Sequence, residues 1–346
     1  MNDILEEYLR EKEPHKKEKG YAWHTAIGLQ AVDGLKTSQY LQDTAKRNIE
    51  GDITFEEAHA LIHSYYKENA AHCERAEEAD KVSVRIAQLL SEKAFVFSPA
   101  QYISVHQKLF SGIYKHAGKL RDYNITKAEW ILDGDTVMYG GAGELRAILE
   151  YDFSVERDFS YKDLPMDRVI KHLAVFVARL WQIHVFAEGN TRTTAVFFIK
   201  YLRTLGFDVT NAIFAENAWY FRNALVRANY TNLKKGIHET TEYLELFLRN
   251  LLLDEKNELK NRNMHIGGTL EAPKCQNVTL EDDANVTLEE MQVLNLLRKD
   301  NRLTQKKLAE HIGKSERTVK RIILSLEQKG MIERIGGKRY GYWQVK

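Results

Sequence analysis

Residues 184–194, HVFAEGNTRTT, place a histidine, an acid, a Gly-Asn pair and an arginine within nine positions. Each type suits one task in chemistry on a phosphate. His184 titrates near neutral pH and can take a proton from an attacking hydroxyl. Glu188 is a hard oxygen ligand of the kind Mg²⁺ shares with substrate phosphates. Gly189 allows close approach to the backbone. Asn190 can hydrogen-bond a phosphate oxygen, and Arg192 can fork onto two. Phe186 is apolar and would anchor the loop that carries the others. Together they supply a base, a metal ligand and a phosphate cradle, which is the equipment of phosphoryl-type transfer from a nucleotide. The pattern H-x-F-x-[DE]-G-N-x-R is expected by chance roughly once in 10⁵ chains of this length, so coincidence is a poor account of it.

Such groups need elements that aim them. Apolar positions at helical spacing run through Met166–Ile183 into the stretch and through Thr191–Leu205 out of it. The first-turn amides and positive dipole end of the second helix would then face an anion. Further helices are expected over 52–66, where Thr54 and Glu57 form a capping box, and over Ala79–Lys93, Pro99–Tyr114, Asn217–Tyr230 and Glu239–Leu253. NITKAEWILDGDTVMY (124–139) departs from this texture. Its β-branched and aromatic residues flank Asp133-Gly134, a hairpin-type turn, so one short β-hairpin is expected in a helical domain.

H-V-F-A-E-G-N-T-R resembles the signature of Fic proteins, H-P-F-x-[DE]-G-N-[GT]-R-x-x-R. The resemblance covers roughly residues 95–250. It implies a protein adenylyltransferase that moves AMP from ATP to a Ser, Thr or Tyr hydroxyl with Mg²⁺ (or Mn²⁺). By resemblance, His184 is the general base and Glu188 the metal-holding acid. Phe186, Gly189, Asn190, Thr191 and Arg192 form the nucleotide site, with His184 and Arg192 catalytic. The 124–139 hairpin would be the flap, where Asn124, Ile125, Thr126 and Lys127 offer an edge to target backbone. The chain departs from the signature at two positions. Val185 stands for the usual proline, and Ala195 stands where the second arginine holds the terminal phosphate. Lys200 lies five residues past Ala195, well round the helix, and is no substitute.

Many Fic proteins also carry an inhibitory helix with [ST]-x-x-x-E-[GN], and residues 21–66 resemble such an antitoxin-like segment. Asp33-Gly34 and Glu50-Gly51 compete for the key position, with Lys46 standing where Glu50 would need a Ser or Thr. Asp33 is preferred as the inhibitory residue. With Ala195 in the partner position, Asp33 is expected to lack the usual salt bridge, so the segment should pack on the catalytic domain with weakened or altered inhibition.

Residues 255–285 are polar, contain Gly-Gly and a proline, and read as a linker. Beyond them, Thr287 and Glu290 form a capping box, Gly313 ends a second helix, and Ser315 opens a third that ends at Gly330. A hairpin around Gly336-Gly337 follows. That order resembles a winged helix-turn-helix domain. Residues 286–346 hold 14 Lys plus Arg against 7 Asp plus Glu, about +7, while the whole chain is +1. Arg317, Thr318, Lys320 and Arg321 would face a DNA groove, and Lys338 and Arg339 on the wing would reach phosphates. Val319, Ile322, Ile323 and Leu326 would be its buried stripe.

The reading is therefore a mainly α chain: an N-terminal regulatory segment (1–94), a Fic-type helical bundle with a β-hairpin flap (95–254), a linker (255–285) and a winged helix domain (286–346). Cys73 and Cys275 are the only cysteines, which fits a reducing cytoplasm rather than a disulfide framework. No run of about 18 apolar residues is present, so no membrane span is expected. The implied partners are ATP, a protein with a target hydroxyl, and DNA; monomer and homodimer both stay open. A reading from another class is a DNA-binding regulator whose Fic domain senses a nucleotide and turns over weakly.

Overall fold

A computed structural model describes residues 5–9, 13–68, 74–210, 212–267, 286–336 and 341–346. Both cysteines, Lys338 and Arg339 lie outside the described residues. The described chain is mostly helical. Its N-terminal part comprises α1 (Glu6–Leu9), α2 (Pro14–Gly28), α3 (Gln39–Glu50), α4 (Phe55–Glu68) and α5 (Glu74–Ser91). The body that follows is α6 (Pro99–Phe110), α7 (Leu145–Asp158), α8 (Met166–Ile183), α9 (Asn190–Thr204), α10 (Ile213–Glu216), α11 (Ala218–Arg227) and α12 (Glu242–Leu253).

Burial follows the apolar periodicity. α9 is covered all round, from Asn190 to Leu202, and α8 buries Val169, Ile170, Leu173, Val177, Leu180 and Trp181 on its inner face. A helix buried on every side must sit at the centre of its bundle. The N-terminal segment shares that core: Trp23, Ala26 and Leu29 of the α2 region are wholly buried. Close approach fixes its seat. A Cβ on Gly28 would lie 2.4 Å from the Ala215 Cα, so only glycine lets the end of α2 lie against α10. At the far end of the bundle, buried Glu156 accepts from Tyr161, Tyr201 and His172, which ties α7, α8 and α9 together.

The flap differs from the expected hairpin. The chain does reverse at Asp133-Gly134, with φ of 56° and 83°. However, 124–139 forms no strand. Its arms are joined by the Glu129 N–H to Asp135 carbonyl bond (2.9 Å), and a short 3₁₀ turn occupies Trp130–Leu132. Ile131, Leu132 and Val137 are buried, so this side of the loop is held by core packing rather than by a ladder. Part of that cover comes from the expected linker. Residues 255–267 pack on the catalytic body: Met264 is fully buried, Asn257 bonds Asn250, and the Ile266 N–H donates to the Ile131 carbonyl (2.9 Å).

The C-terminal module has α13 (Leu288–Lys299), α14 (Gln305–Ile312), α15 (Glu316–Gln328) and an antiparallel pair, β1 (Ile332–Ile335) with β2 (Tyr342–Val345), Ile332 opposite Val345. The Thr287–Glu290 capping box is formed at the start of α13. Buried Glu290 also accepts from Ser325 and Lys329 of the α15 end. The module is docked on the body by the Met166 N–H to Val286 carbonyl bond, by Gln292 on the Leu205 carbonyl, and by a Lys299–Asp208 ion pair.

Candidate active site

α8 ends in a left-handed residue, and that residue is His184 (φ 51°, ψ 53°). The reversal aims its ring back over the end of the helix, against Tyr139 and Trp181 (ring centroids 4.4 and 5.3 Å). The imidazole is buried, and neither ring nitrogen makes a well-directed hydrogen bond among the described residues, although the Trp181 carbonyl interacts with the ring. Burial first, then the charges of Lys127, Arg121 and Arg222, hold its pKa well below the ordinary value, so the ring is neutral at pH 7.

The loop after it is built from inside. Phe186 is fully buried and stacks on His106 (3.7 Å). The His106 Nδ1 accepts from the Gly118 N–H, so Nε2 carries the proton and donates to the Glu188 carbonyl (3.0 Å). Burial lowers the His106 pKa to about 4. The unfolded chain therefore binds more protons below pH 6.5, and stability falls as pH drops from there. Over the full window this one group is worth about 3 kcal/mol. Tm should decline between pH 7 and 5, and the slope should flatten in His106→Gln, as followed by thermal denaturation.

Gly189 is the N-cap of α9 at φ 73°, and a Cβ there would lie 2.4 Å from the Phe110 ring. Glycine is thus demanded by Phe110 as well as by any approaching anion. Asn190 differs from its expected role. Its side-chain amide accepts from the Phe186 N–H (3.0 Å) and donates to the Phe186 carbonyl (2.7 Å), so it closes the loop on itself rather than standing free for a phosphate. Thr191 accepts from the Trp181 indole. Glu188 is exposed, and its carboxylate has no partner among the described residues.

Arg192 is almost fully buried and is already taken. Nη1 donates to Gln30 (3.0 Å), and Nη2 donates to Glu78 (2.6 Å) and to the Tyr114 hydroxyl (3.2 Å). Nε lies 2.7 Å from Asp33 Oδ2, an ion pair rather than a directed hydrogen bond. The Phe110 ring covers one face at 4.8 Å. Burial opposes the charge, yet Asp33, Tyr114 and Glu78 hold the guanidinium pKa above its ordinary value. The expected consequence of Ala195 is therefore corrected. Asp33 does not lack a partner, because it pairs with the arginine that remains. Asp33 ends the 3₁₀ turn Leu29–Asp33, with Gly34 left-handed behind it (φ 66°). Glu50 faces elsewhere, bonded to Tyr8 (2.5 Å) and paired with Lys16 (2.9 Å). Lys200 caps α5 through the Leu89 and Glu92 carbonyls.

Along the flap, 124–126 adopts no regular secondary structure and makes no backbone–backbone bond among the described residues. Asn124 and Thr126 are exposed, Ile125 and Lys127 half-buried. Asn124 accepts from the Ala142 N–H, and the Lys127 N–H donates to Thr136 (3.2 Å). In the C-terminal module, Arg317, Lys320 and Arg321 are exposed while Val319, Ile322, Ile323 and Leu326 are buried. Thr318 is half-buried and bonded to the N-cap Ser315.

Gln30, Glu78, Tyr114, His106 and Arg121 contact the candidate site and were not disclosed by the sequence. Each acts across a long sequence gap, and none stands in a local pattern.

Residues 96–202 match the Fic/DOC family, and residues 290–333 match a winged helix-turn-helix DNA-binding family. The chain thus carries a Fic/DOC family domain followed by a winged helix-turn-helix module. It is 24% identical to the protein adenylyltransferase VbhT of Bartonella schoenbuchensis over 65% of this chain. The chain spans only about half of that relative's length, 48%. A crystal structure of a Fic family protein from Desulfovibrio desulfuricans G20 covers 99% of this chain and 90% of its own, at 13% identity and a TM-score of 0.43, too slight a likeness to carry weight. No helix among the described residues is long and apolar enough to cross a membrane.

Proposed function

We propose that the chain is a Fic-type protein adenylyltransferase held in a closed state by its own N-terminal segment. The observation that carries this reading is the neutral, buried imidazole of His184, without a well-directed hydrogen bond, on the turn that leads into α9. A target hydroxyl presented along 124–126 gives its proton to His184 while its oxygen attacks the α-phosphorus of ATP. The bond to pyrophosphate breaks, and AMP stays on the target Ser, Thr or Tyr. Arg192, once released, and the free first-turn amides of α9 would hold phosphates. Glu188 would hold Mg²⁺ (or Mn²⁺), which when bound neutralises phosphate charge. The donor set fits a metal that arrives with its nucleotide. One exposed carboxylate is available, and no group of three His, Cys, Asp or Glu among the described residues could hold an ion unaided.

The test is mass spectrometry of the full chain after incubation with Mg²⁺ or Mn²⁺ and each of ATP, CTP, GTP and UTP. An AMP increment on a hydroxyl residue supports the reading; an increment from another nucleotide corrects the donor; none, even after the release described in the Discussion, rejects it. A second reading, a DNA-binding regulator with a nucleotide-sensing and weakly active Fic domain, is favoured by Ala195 and by the full engagement of Arg192.

Either reading includes DNA contact through α15. Arg317, Lys320 and Arg321 form its exposed cationic face. Duplex affinity should fall steeply with salt, and Lys320→Ala should reduce the log–log slope by about 1 if it meets a phosphate. Fluorescence anisotropy at several salt concentrations measures this. A flat salt dependence would instead make the module a protein-binding one.

A further inference from the structure

Arg121 is buried at the entry to the flap, and no carboxylate pairs with it among the described residues. Its guanidinium is solvated by backbone carbonyls alone. Nε donates to the His184 carbonyl (2.8 Å), Nη1 to the Tyr123 carbonyl (2.6 Å), and Nη2 to the carbonyls of Gly140 and Ile183. Its own N–H donates to the Val185 carbonyl (2.9 Å). Tyr123 precedes the flap and Gly140 follows it, while Ile183 and His184 close α8. One planar group therefore joins both ends of the flap to the residue that carries the base.

We infer that Arg121 is a positioning residue, which sets the His184 imidazole and the target-presenting flap in one frame. The inference rests on the reading of His184 as the base. Three physical points support it. A left-handed non-glycine residue is uncommon, and His184 stays there because its carbonyl is held by a charged donor. A cation at the C-terminus of α8 is favoured by the helix dipole, which replaces the missing carboxylate partner. Only a forked guanidinium has enough donors in fixed directions to serve carbonyls from two segments; a lysine ammonium does not. The flap exit also lies close to α8: a Cβ on Gly140 would be 3.0 Å from the Ile183 carbonyl, and the Gly140 N–H donates to the Gln182 carbonyl.

The test compares full-length wild type with Arg121→Lys, which keeps the charge and loses the fork. Carbethoxylation of each histidine by diethyl pyrocarbonate is read by peptide mass spectrometry. His106 is the internal control, because it is equally neutral and fully buried. His184 should react about tenfold faster in Arg121→Lys, the effect of one or two lost net hydrogen bonds, with His106 unchanged. In parallel, nucleotide affinity should hold while the transfer rate falls about 10²-fold, as expected for a misplaced base. Unchanged His184 reactivity, or a parallel rise at His106, overturns the inference. Should Arg121→Lys not fold, Gly140→Ala moves the flap exit and leaves Arg121 in place; it should give the same selective rise at smaller size, and its absence is equally fatal. Absence of transfer even when Asp33→Ala and Glu78→Gln are added would reject the enzyme reading, yet the histidine reactivities would still decide the role of Arg121.

Discussion

Asp33→Ala combined with Glu78→Gln should label itself from ATP roughly 10 to 10³ times faster than wild type, with each single change giving only part of the gain. To grip a phosphate, Arg192 must leave the partners that hold it. The charge-assisted hydrogen bond to Glu78 is worth about 1.5–3 kcal/mol, roughly 10- to 150-fold in release, and the part-exposed Asp33 ion pair up to about 1 kcal/mol, roughly fivefold. The two shares differ. The Asp33 side chain is 36% exposed and that of Glu78 is 21% exposed, so screening by water places Asp33 at the low end. Gln30 and Tyr114 remain in both single variants as neutral partners. Initial rates of auto-modification, beside nucleotide affinity by calorimetry, measure the effect. A single Asp33→Ala variant as fast as the double would remove Glu78 from the lock. A double variant with unimproved nucleotide binding would remove the lock altogether. Deleting the N-terminal segment is the poorer experiment, because Trp23, Ala26 and Leu29 belong to the common core. Their loss would uncover apolar surface and confuse release with unfolding.

The difference between what the sequence disclosed and what it hid is one of range. α8, α9 and the turn between them could be read because helix periodicity and turn chemistry act over a few residues. The capping boxes at Thr54–Glu57 and Thr287–Glu290 are also local, and both formed. The flap misled for the same reason. Its β-branched residues fit a strand, but Ile131 and Leu132 are buried by tertiary packing, and 255–267, read as linker, supplies part of the cover. The Arg192 clamp joins residues 114 and 162 positions apart, and Arg121 reaches His184 across 63. No local rule signals such contacts. Ala195 pointed to an inhibitory acid without a partner. Only the placement of the Leu29–Asp33 turn beside α9 shows that Asp33 pairs with Arg192 instead.

His184→Ala in the released double variant should lower transfer by about 10² to 10⁴, the usual range for loss of a general base. Nucleotide affinity should change little, since the ring makes no well-directed hydrogen bond and lies against Tyr139 and Trp181 rather than in the Arg192 clamp. The pH profile makes the assignment sharper. Only neutral imidazole accepts a proton, and burial with nearby cations lowers its pKa well below 6.5. The neutral form therefore persists as pH falls through 6.5, and kcat/KM, which reports the free enzyme, should stay level there and decline only at lower pH. Bound phosphates add negative charge beside the ring and favour its protonation. The acidic limb of kcat should accordingly lie at higher pH than that of kcat/KM. Rates from pH 5 to 8 at low and saturating ATP separate the two. A kcat/KM limb at or above 6.5 would mean that the buried neutral imidazole is not the base, and undiminished transfer by His184→Ala would require another group to take the hydroxyl proton.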